Sequence, residues 1–316
     1  MDTLLYVVIR SAVAIIQALP LFWVARLGRM GGALAYWLDG RHRRMTISNL
    51  KLCFAKSKAQ KEIIWIAKEN FRRIGENFAS AAKTAAMTPD QMKPHFVFTG
   101  AEKILPHEAN AGPQSRVVAI GHFGNFELYA RFGQFVPIFH CATTYRGLPQ
   151  PSLDRLLKSM RETSGCRFYE RRSESNALRA AMSDTGLLLG LLCDQHAGRS
   201  GLRLPFLGHE CSTSSAPALF ALRYNCPLHT AICYRTGLGQ WEIEVGDEIP
   251  TRENGEPRST EAIMLEVNRA LEKAVLRDPA NWFWVHNRWK PVKPRKVKSE
   301  VRGQNRDSGA EAEEGD

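Results

Sequence analysis

No two cysteines in this chain have the C-x-x-C spacing of a zinc ribbon or a redox motif, and their total of seven is odd. Neither a metal site nor a disulfide framework is signalled. Several of them (Cys141, Cys193, Cys233) sit in apolar runs, where cysteine packs as a small hydrophobe. This usage fits a reducing compartment. An unbroken apolar run of the roughly 20 residues that a membrane span needs is also missing. The longest candidate, residues 4–25, is interrupted by Arg10, Gln17 and Pro20. Only Asp2 carries charge before it, so the basic start of a secretory signal is absent. No internal repeat is visible. A mean hydropathy of -0.28 excludes a bundle of many spans. With 44% hydrophobic and 24% charged residues, collagen and wholesale disorder are excluded too.

Acidic residues are scarcest where basic ones collect. Residues 1–60 hold nine Lys/Arg against Asp2 and Asp39, and so carry +7 of the net +11. Such a balance calls for an anionic partner. Because the charge is interleaved with apolar residues at one terminus, a membrane surface accounts for it better than nucleic acid, for which no motif appears. Segment 1–40 therefore reads as a membrane-attaching helical segment. It could be one imperfect span, or a monotopic helix with Arg10, Arg26 and Arg29 at the headgroups. A buried core helix is the structural alternative. Arg41, Arg43 and Arg44 follow at once, each attracted to anionic lipid by about 1 kcal/mol. The positive-inside tendency puts the remainder on the cytoplasmic side. Gly28 and Gly32 have G-x-x-x-G spacing, but Arg29 lies between them and the pattern carries little weight.

The 316 residues can bury a substantial core. Residues 45–86 have helical periodicity. Apolar runs at 117–120, 136–145, 186–193 and 227–234, and an alternating run at 241–245, read as strands. Helical patterns fall at 151–164, 174–184, 216–224 and 260–277. Apolar strands alternating with helices give an α/β fold with a central, mostly parallel sheet flanked by helices. Residues 41–291 form that domain, its N-terminal part helical. Residues 292–316 are a charged tail with few apolar residues, expected to be disordered.

The chemistry concentrates in VVAIGHFGNFELYARFG, 117–133. An apolar strand ends at Gly121, His122 follows, and Glu127 stands five positions on. On a continuous helix those two side chains would be about 140° apart. The residues between must turn, and Gly124-Asn125 is turn chemistry. Asn125 becomes a candidate N-cap with Glu127 in the first helical turn, where the helix dipole favours a carboxylate. Glu127 could accept a hydrogen bond from one imidazole nitrogen of His122 and fix the tautomer. The other nitrogen would then take a proton from an attacking hydroxyl. Spacing alone has little specificity, since about one His-x4-acid pair is expected from composition. The strand, glycine and turn around it supply the specificity. His140 and His229, inside apolar runs, read as packed, and His286 as structural.

Five blocks in order resemble the lipid A late acyltransferases and their lysophospholipid acyltransferase relatives. They are RHRRMTISNLKLCF after the apolar N-terminus, GHFGNFEL, TTYRGLPQPSLDRLLKSMRETSG, GLLLGLLCDQHAGRSGLRLPFLGHECST and NWFWVHNRWK, within about residues 1–291. Ala55 after Phe54 departs from the proline that often stands there. The resemblance implies an acyltransferase at the cytoplasmic face of the inner membrane. It implies His122 as general base with Glu127 as its partner, and supporting or substrate-binding roles for Arg161, Asp194, Arg146 and Asn125; Arg161 could bind a phosphate, or orient Glu127 or Asp194. Arg199 and Arg203 are weaker candidates for phosphate groups. The implied donor is a thioester on acyl carrier protein, with acyl-CoA as the alternative. The implied acceptor is a hydroxyl of a lipid A precursor, with a lysophospholipid or another glycolipid as alternatives. No metal or cofactor is implied. A non-catalytic lipid-binding protein is the remaining reading.

Overall fold

The computed structural model describes residues 2–105, 114–183 and 186–291. The charged tail at 292–316 lies outside the described residues. The chain opens with helices α1 (Asp2–Ala18), α2 (Leu21–Leu38), α3 (Gly40–Phe54), α4 (Gln60–Thr84) and the short α5 (Pro89–Met92). Pro20 has no N–H to continue a helix, so the apolar stretch splits there into α1 and α2. Among the described residues no helix is long and apolar enough to cross a membrane. Residues 4–25, weighed as one span from the sequence, are thus two helices rather than one. Asp39 separates α2 from α3 and caps the latter, accepting the His42 N–H at 3.0 Å.

Helices α2 and α4 pack backbone to backbone. A Cβ on Gly32 would stand 2.1 Å from the Phe71 carbonyl oxygen, and one on Gly75 2.2 Å from that of Gly28. The G-x-x-x-G spacing discounted in the sequence is thus used, within one chain. Arg29 does not spoil the seam because it finds partners across it, Glu69 at 2.9 Å and Glu76 at 3.1 Å. The fully buried Glu76 also receives Arg235 at 2.8 Å and the Gly239 N–H at 3.0 Å. Its charge is compensated from two elements that are remote in sequence, which tethers the helical layer to the sheet.

The remaining elements are β1 (Phe96–Thr99), β2 (Arg116–Ile120), β3 (His140–Tyr145), α6 (Pro151–Glu162), β4 (Arg167–Glu170), α7 (Ser175–Ser183), β5 (Leu187–Leu192), β6 (Leu202–Phe206), β7 (His209–Thr213), α8 (Ala216–Arg223), β8 (Leu228–Gly237), β9 (Gln240–Val245), β10 (Arg252–Glu253), β11 (Glu256–Pro257) and α9 (Thr260–Arg277). Seven strands form one sheet in the order β1-β9-β8-β2-β5-β3-β4. It is parallel except where β8 meets β9. The expected mixed α/β architecture is present. Period-two alternation sends Val117, Ala119, Leu189 and Leu191 to one core and Val118, Ile120 and Leu188 to the other. Helices α8 and α9 cover the first face. The strand expected at 136–145 begins only at His140, because 136–139 complete the turn out of a nine-residue 3-10 segment, Phe126–Gln134. His229 is buried as expected, but His140 is exposed at the strand's start. Strands β1, β4 and the β6–β7 hairpin escaped the sequence reading. They are short, and the edge strands carry weak apolar patterns.

Gly75→Val tests the α2–α4 seam. Overpacking against a backbone carbonyl should lower stability by about 1–3 kcal/mol or more, measured by chemical denaturation against Gly31→Ala, where a Cβ meets nothing within 4 Å.

Candidate active site

Strands β2 and β5 are adjacent and parallel, with Ile120 level with Leu192. Two residues beyond each of these come His122 and Asp194. The register alone brings them together at the carboxyl edge of the sheet. The chain leaves β2 toward one face, through the 3-10 segment, and leaves β5 toward the other, reaching α8. A crevice opens where neighbouring strands part this way, the usual position of an α/β site.

There, His122 Nδ1 lies 2.8 Å from Asp194 Oδ1, and the His122 backbone N–H donates to Oδ2 at 2.8 Å. The indole N–H of Trp282 donates to the same Oδ2 at 2.8 Å. Burial by itself would raise the Asp194 carboxyl; the His122 ring and these hydrogen bonds outweigh it and hold it at about 2. The carboxylate is thus ionised at neutral pH. It fixes the tautomer with the proton on Nδ1 and leaves the Nε2 lone pair free to accept. Phe126 and Phe283 flank the imidazole, with ring centroids 4.8 Å and 5.8 Å away. The Gln195 amide nitrogen is 3.4 Å from Nε2.

Glu127 does not hold His122. Gly124 turns the chain with φ of 49°, so close to β8 that a Cβ would meet the Cys233 carbonyl oxygen at 2.6 Å. Glu127 then emerges in the first 3-10 turn facing α6. There it accepts Arg161 through two bonds, Nε to Oε2 at 3.1 Å and Nη2 to Oε1 at 2.5 Å. The Arg161 guanidinium also lies over the Phe168 ring, 4.9 Å from its centroid. The turn was legible in the sequence. The carboxylate that meets His122 was not, because a register between strands far apart in the chain decided it. Asn125 occupies the cap position but makes no capping hydrogen bond. Its side chain is buried, and neither its oxygen nor its nitrogen has a partner among the described residues. Arg146 is exposed and lines the cavity described next. Arg203 pairs with Glu210 at 2.8 Å; neither it nor Arg199 lines that cavity.

The cavity has a volume of about 910 Å³, large for a small-molecule site. Val118 and Ile120, four and two residues before His122, line it down the strand, joined by Phe98, Ile104, Phe132, Leu188, Ile243 and Val245. At about 3.3 Å per residue, Val118 lies roughly 7 Å further down the strand than Ile120, its last residue. The apolar channel therefore runs away from His122 into the core layer between the sheet and the 3-10 segment. Its polar end carries His122, Glu127, Arg161, Gln195, His196 and His286.

A C-terminal strap, residues 279–289, holds this end from behind. Asn49 donates to the Trp284 and His286 carbonyls at 2.9 Å and 2.8 Å. Asn70 donates to those of Ala280 and Trp282. Buried Arg288 donates to the Gln195 carbonyl at 2.6 Å and to that of Ser212 at 2.9 Å. His286 Nε2 accepts the His196 N–H at 2.9 Å, which requires a neutral ring. Burial pushes His286 down to about 4. Sequence reading missed Trp282 and Gln195. Their only signals were an indole in an aromatic block and a glutamine after Asp194, and neither names a partner.

The sequence model of the family described as bacterial lipid A biosynthesis acyltransferase matches residues 3–291. The chain is 25% identical over 272 residues to a protein of Escherichia coli (strain K12) named lipid A biosynthesis palmitoleoyltransferase, covering 84% of each chain. It is similar to the same degree, with the same coverage, to a lipid A biosynthesis acyltransferase of Shigella flexneri. The α/β fold with a crevice at the carboxyl edge of its sheet is therefore that of an acyltransferase. The chain belongs to the bacterial lipid A biosynthesis acyltransferase family.

Neutral His286 gives a pH prediction. Unfolded, the ring titrates near 6.5; folded, near 4. Between those values the unfolded chain binds a proton that the folded chain does not, so stability falls as pH drops through that window. His286→Gln, which can still accept the His196 N–H, should flatten that decline in denaturant titrations at successive pH values. An unchanged slope would assign the titration to another group.

Proposed function

We propose that this protein transfers a fatty acyl chain from an acyl carrier protein thioester to a hydroxyl of a lipid A precursor, with His122 as general base. The observation that carries this reading is the His122 imidazole, fixed by Asp194 and opening on a deep apolar channel, in a chain of this family. The acyl chain occupies the channel and brings its thioester to Nε2. The acceptor hydroxyl gives its proton to Nε2 as its oxygen attacks the carbonyl carbon. The C–S bond then breaks, and the thiolate leaves with the proton from the imidazolium. Asp194 keeps its charge throughout and stabilises that imidazolium. The Glu127–Arg161 pair, lining the same cavity as His122, would support the substrate. Arg146, exposed at the cavity, suits a phosphate of the acceptor, and Asn125 shapes the turn that separates His122 from Glu127. The net positive charge fits an acidic donor and a phosphorylated acceptor.

We further propose attachment to the cytoplasmic face of the inner membrane through α2. Its apolar residues form two stripes. Leu21, Val24, Ala25, Gly28, Gly32 and Tyr36 face inward; Gly28 is half-buried and the others are buried. Trp23, Leu27, Met30, Leu34 and Trp37 repeat at helical spacing on the exposed side. An exposed apolar stripe of this length calls for a covering surface. Arg26, Arg41 and Arg44 are exposed around it, as an in-plane helix on anionic lipid requires.

In a purified assay with acyl-carrier and acyl-CoA donors, tetra-acylated sugar and lysophospholipid acceptors, the carrier donor and sugar acceptor should give product by mass spectrometry. His122→Ala should lower turnover by about 10²–10⁴-fold. Asp194→Asn should also lose about 10²-fold or more, because an amide facing Nδ1 favours the wrong tautomer. Full activity of His122→Ala would remove it from the mechanism. Transfer only to lysophospholipid would reassign the acceptor. For the membrane, Trp23→Glu/Trp37→Glu should weaken sedimentation with anionic vesicles by at least about tenfold without lowering the melting temperature. Unaltered vesicle binding would place the attachment elsewhere.

A further inference from the structure

A base at Nε2 leaves half of acyl transfer unexplained. As the hydroxyl attacks, negative charge builds on the former carbonyl oxygen, and a hydrogen-bond donor must stand where that oxygen will be. Most polar hydrogens around His122 are already committed. The backbone N–H of His122 goes to Asp194. That of Phe123 goes to the Gly121 carbonyl at 2.9 Å, that of Gly124 to Asn281 at 3.1 Å and that of Cys193 to Ile120 at 3.0 Å. The His196 N–H goes to His286. Arg161 presents Nε and Nη2 to Glu127, so the edge of its guanidinium nearest that carboxylate is occupied.

The Gln195 side chain is different. It lines the cavity, and its amide nitrogen lies 3.4 Å from His122 Nε2. Since Nδ1 carries the ring proton toward Asp194, Nε2 is an acceptor and the amide is the donor. At 3.4 Å that bond is long and weak. An acceptor hydroxyl that donates to Nε2 takes its place and frees the amide beside the base. The backbone beneath is fixed on every side. Trp282 holds the Asp194 carboxylate, Arg288 the Gln195 carbonyl and His286 the His196 N–H. The backbone that carries the donor therefore stays in place as charge develops, and only the side-chain amide re-aims. A neutral amide also adds no charge that would oppose protonation of His122.

We infer that the Gln195 amide is the oxyanion donor of the acyl transfer, a catalytic residue on the reacting carbonyl oxygen. This rests on the proposed general-base reading, and the test separates the two. Gln195→Met and Gln195→Glu keep the length of the side chain and remove the donor. In the full-length enzyme with acyl-carrier donor and sugar acceptor, each should lower kcat by about 10²–10³-fold while KM for either substrate stays within about threefold. The acid limb of the kcat profile should stay in place for Gln195→Met. Unchanged melting temperatures establish folding, and Gln195→Met and Gln195→Glu serve as mutual controls. A kcat within about threefold of wild type overturns the assignment, as does a raised KM with normal kcat, which would make Gln195 a ground-state binding residue. Full activity of His122→Ala would instead bring down the underlying mechanism, whatever Gln195 does.

Discussion

The buried carboxylate of Asp194 joins three separate stretches of chain. It takes the ring and the backbone N–H of His122 from the end of β2, and the indole of Trp282 from the C-terminal strap. An ion so deeply buried is tolerated only when its oxygens are filled by donors. The strap must therefore close over the sheet edge before the site exists. The same requirement explains why Asn49 and Asn70, on helices far away in sequence, are committed to strap carbonyls. They position the strap, the strap positions Trp282, and Trp282 completes the shell that orients the imidazole. The geometry of this site is a property of the whole tertiary arrangement rather than of one loop.

The helical layer serves that arrangement and faces outward as well. Glycines let α2 lie against α4 at backbone distance, and the Arg29–Glu76–Arg235 chain locks this pair to β8. A helix so close to its neighbour on one side has only its other side to offer. On α2 that side is apolar and rich in tryptophan. The near contact of Gly28, Gly32 and Gly75 thus sets both the inward packing of α2 and the outward aim of its exposed apolar stripe.

Much of the fold could be read from the sequence because its signals are local. The β2 and β5 patterns, the helix from Thr260 to Arg277 and the break at Pro20 follow from periodicity, capping and proline chemistry. The short edge strands β1 and β4 offer four-residue patterns, too brief to distinguish from loop. At the site, the turn through Gly124 was legible, since a left-handed residue and a following acid have few uses. The pairing of Asp194 with His122 was not, and that of Glu127 with Arg161 was one of several partners left open to Arg161. Each depends on which side chains two distant elements bring level, and no spacing within a single segment carries that information.

Residue order by itself determined that strands would alternate with helices, that the N-terminal apolar run would be interrupted, and that a histidine would stand at a strand's end beside a turn. Backbone sterics and side-chain periodicity act over a few residues and need nothing else. Only the tertiary structure decided which carboxylate the histidine would meet. In-register pairing of β2 with β5 sets His122 opposite Asp194, while the positive φ of Gly124 swings Glu127 away to α6. Hydrogen bonds between parallel strands fix relative height to within a residue, and that height chose the partner.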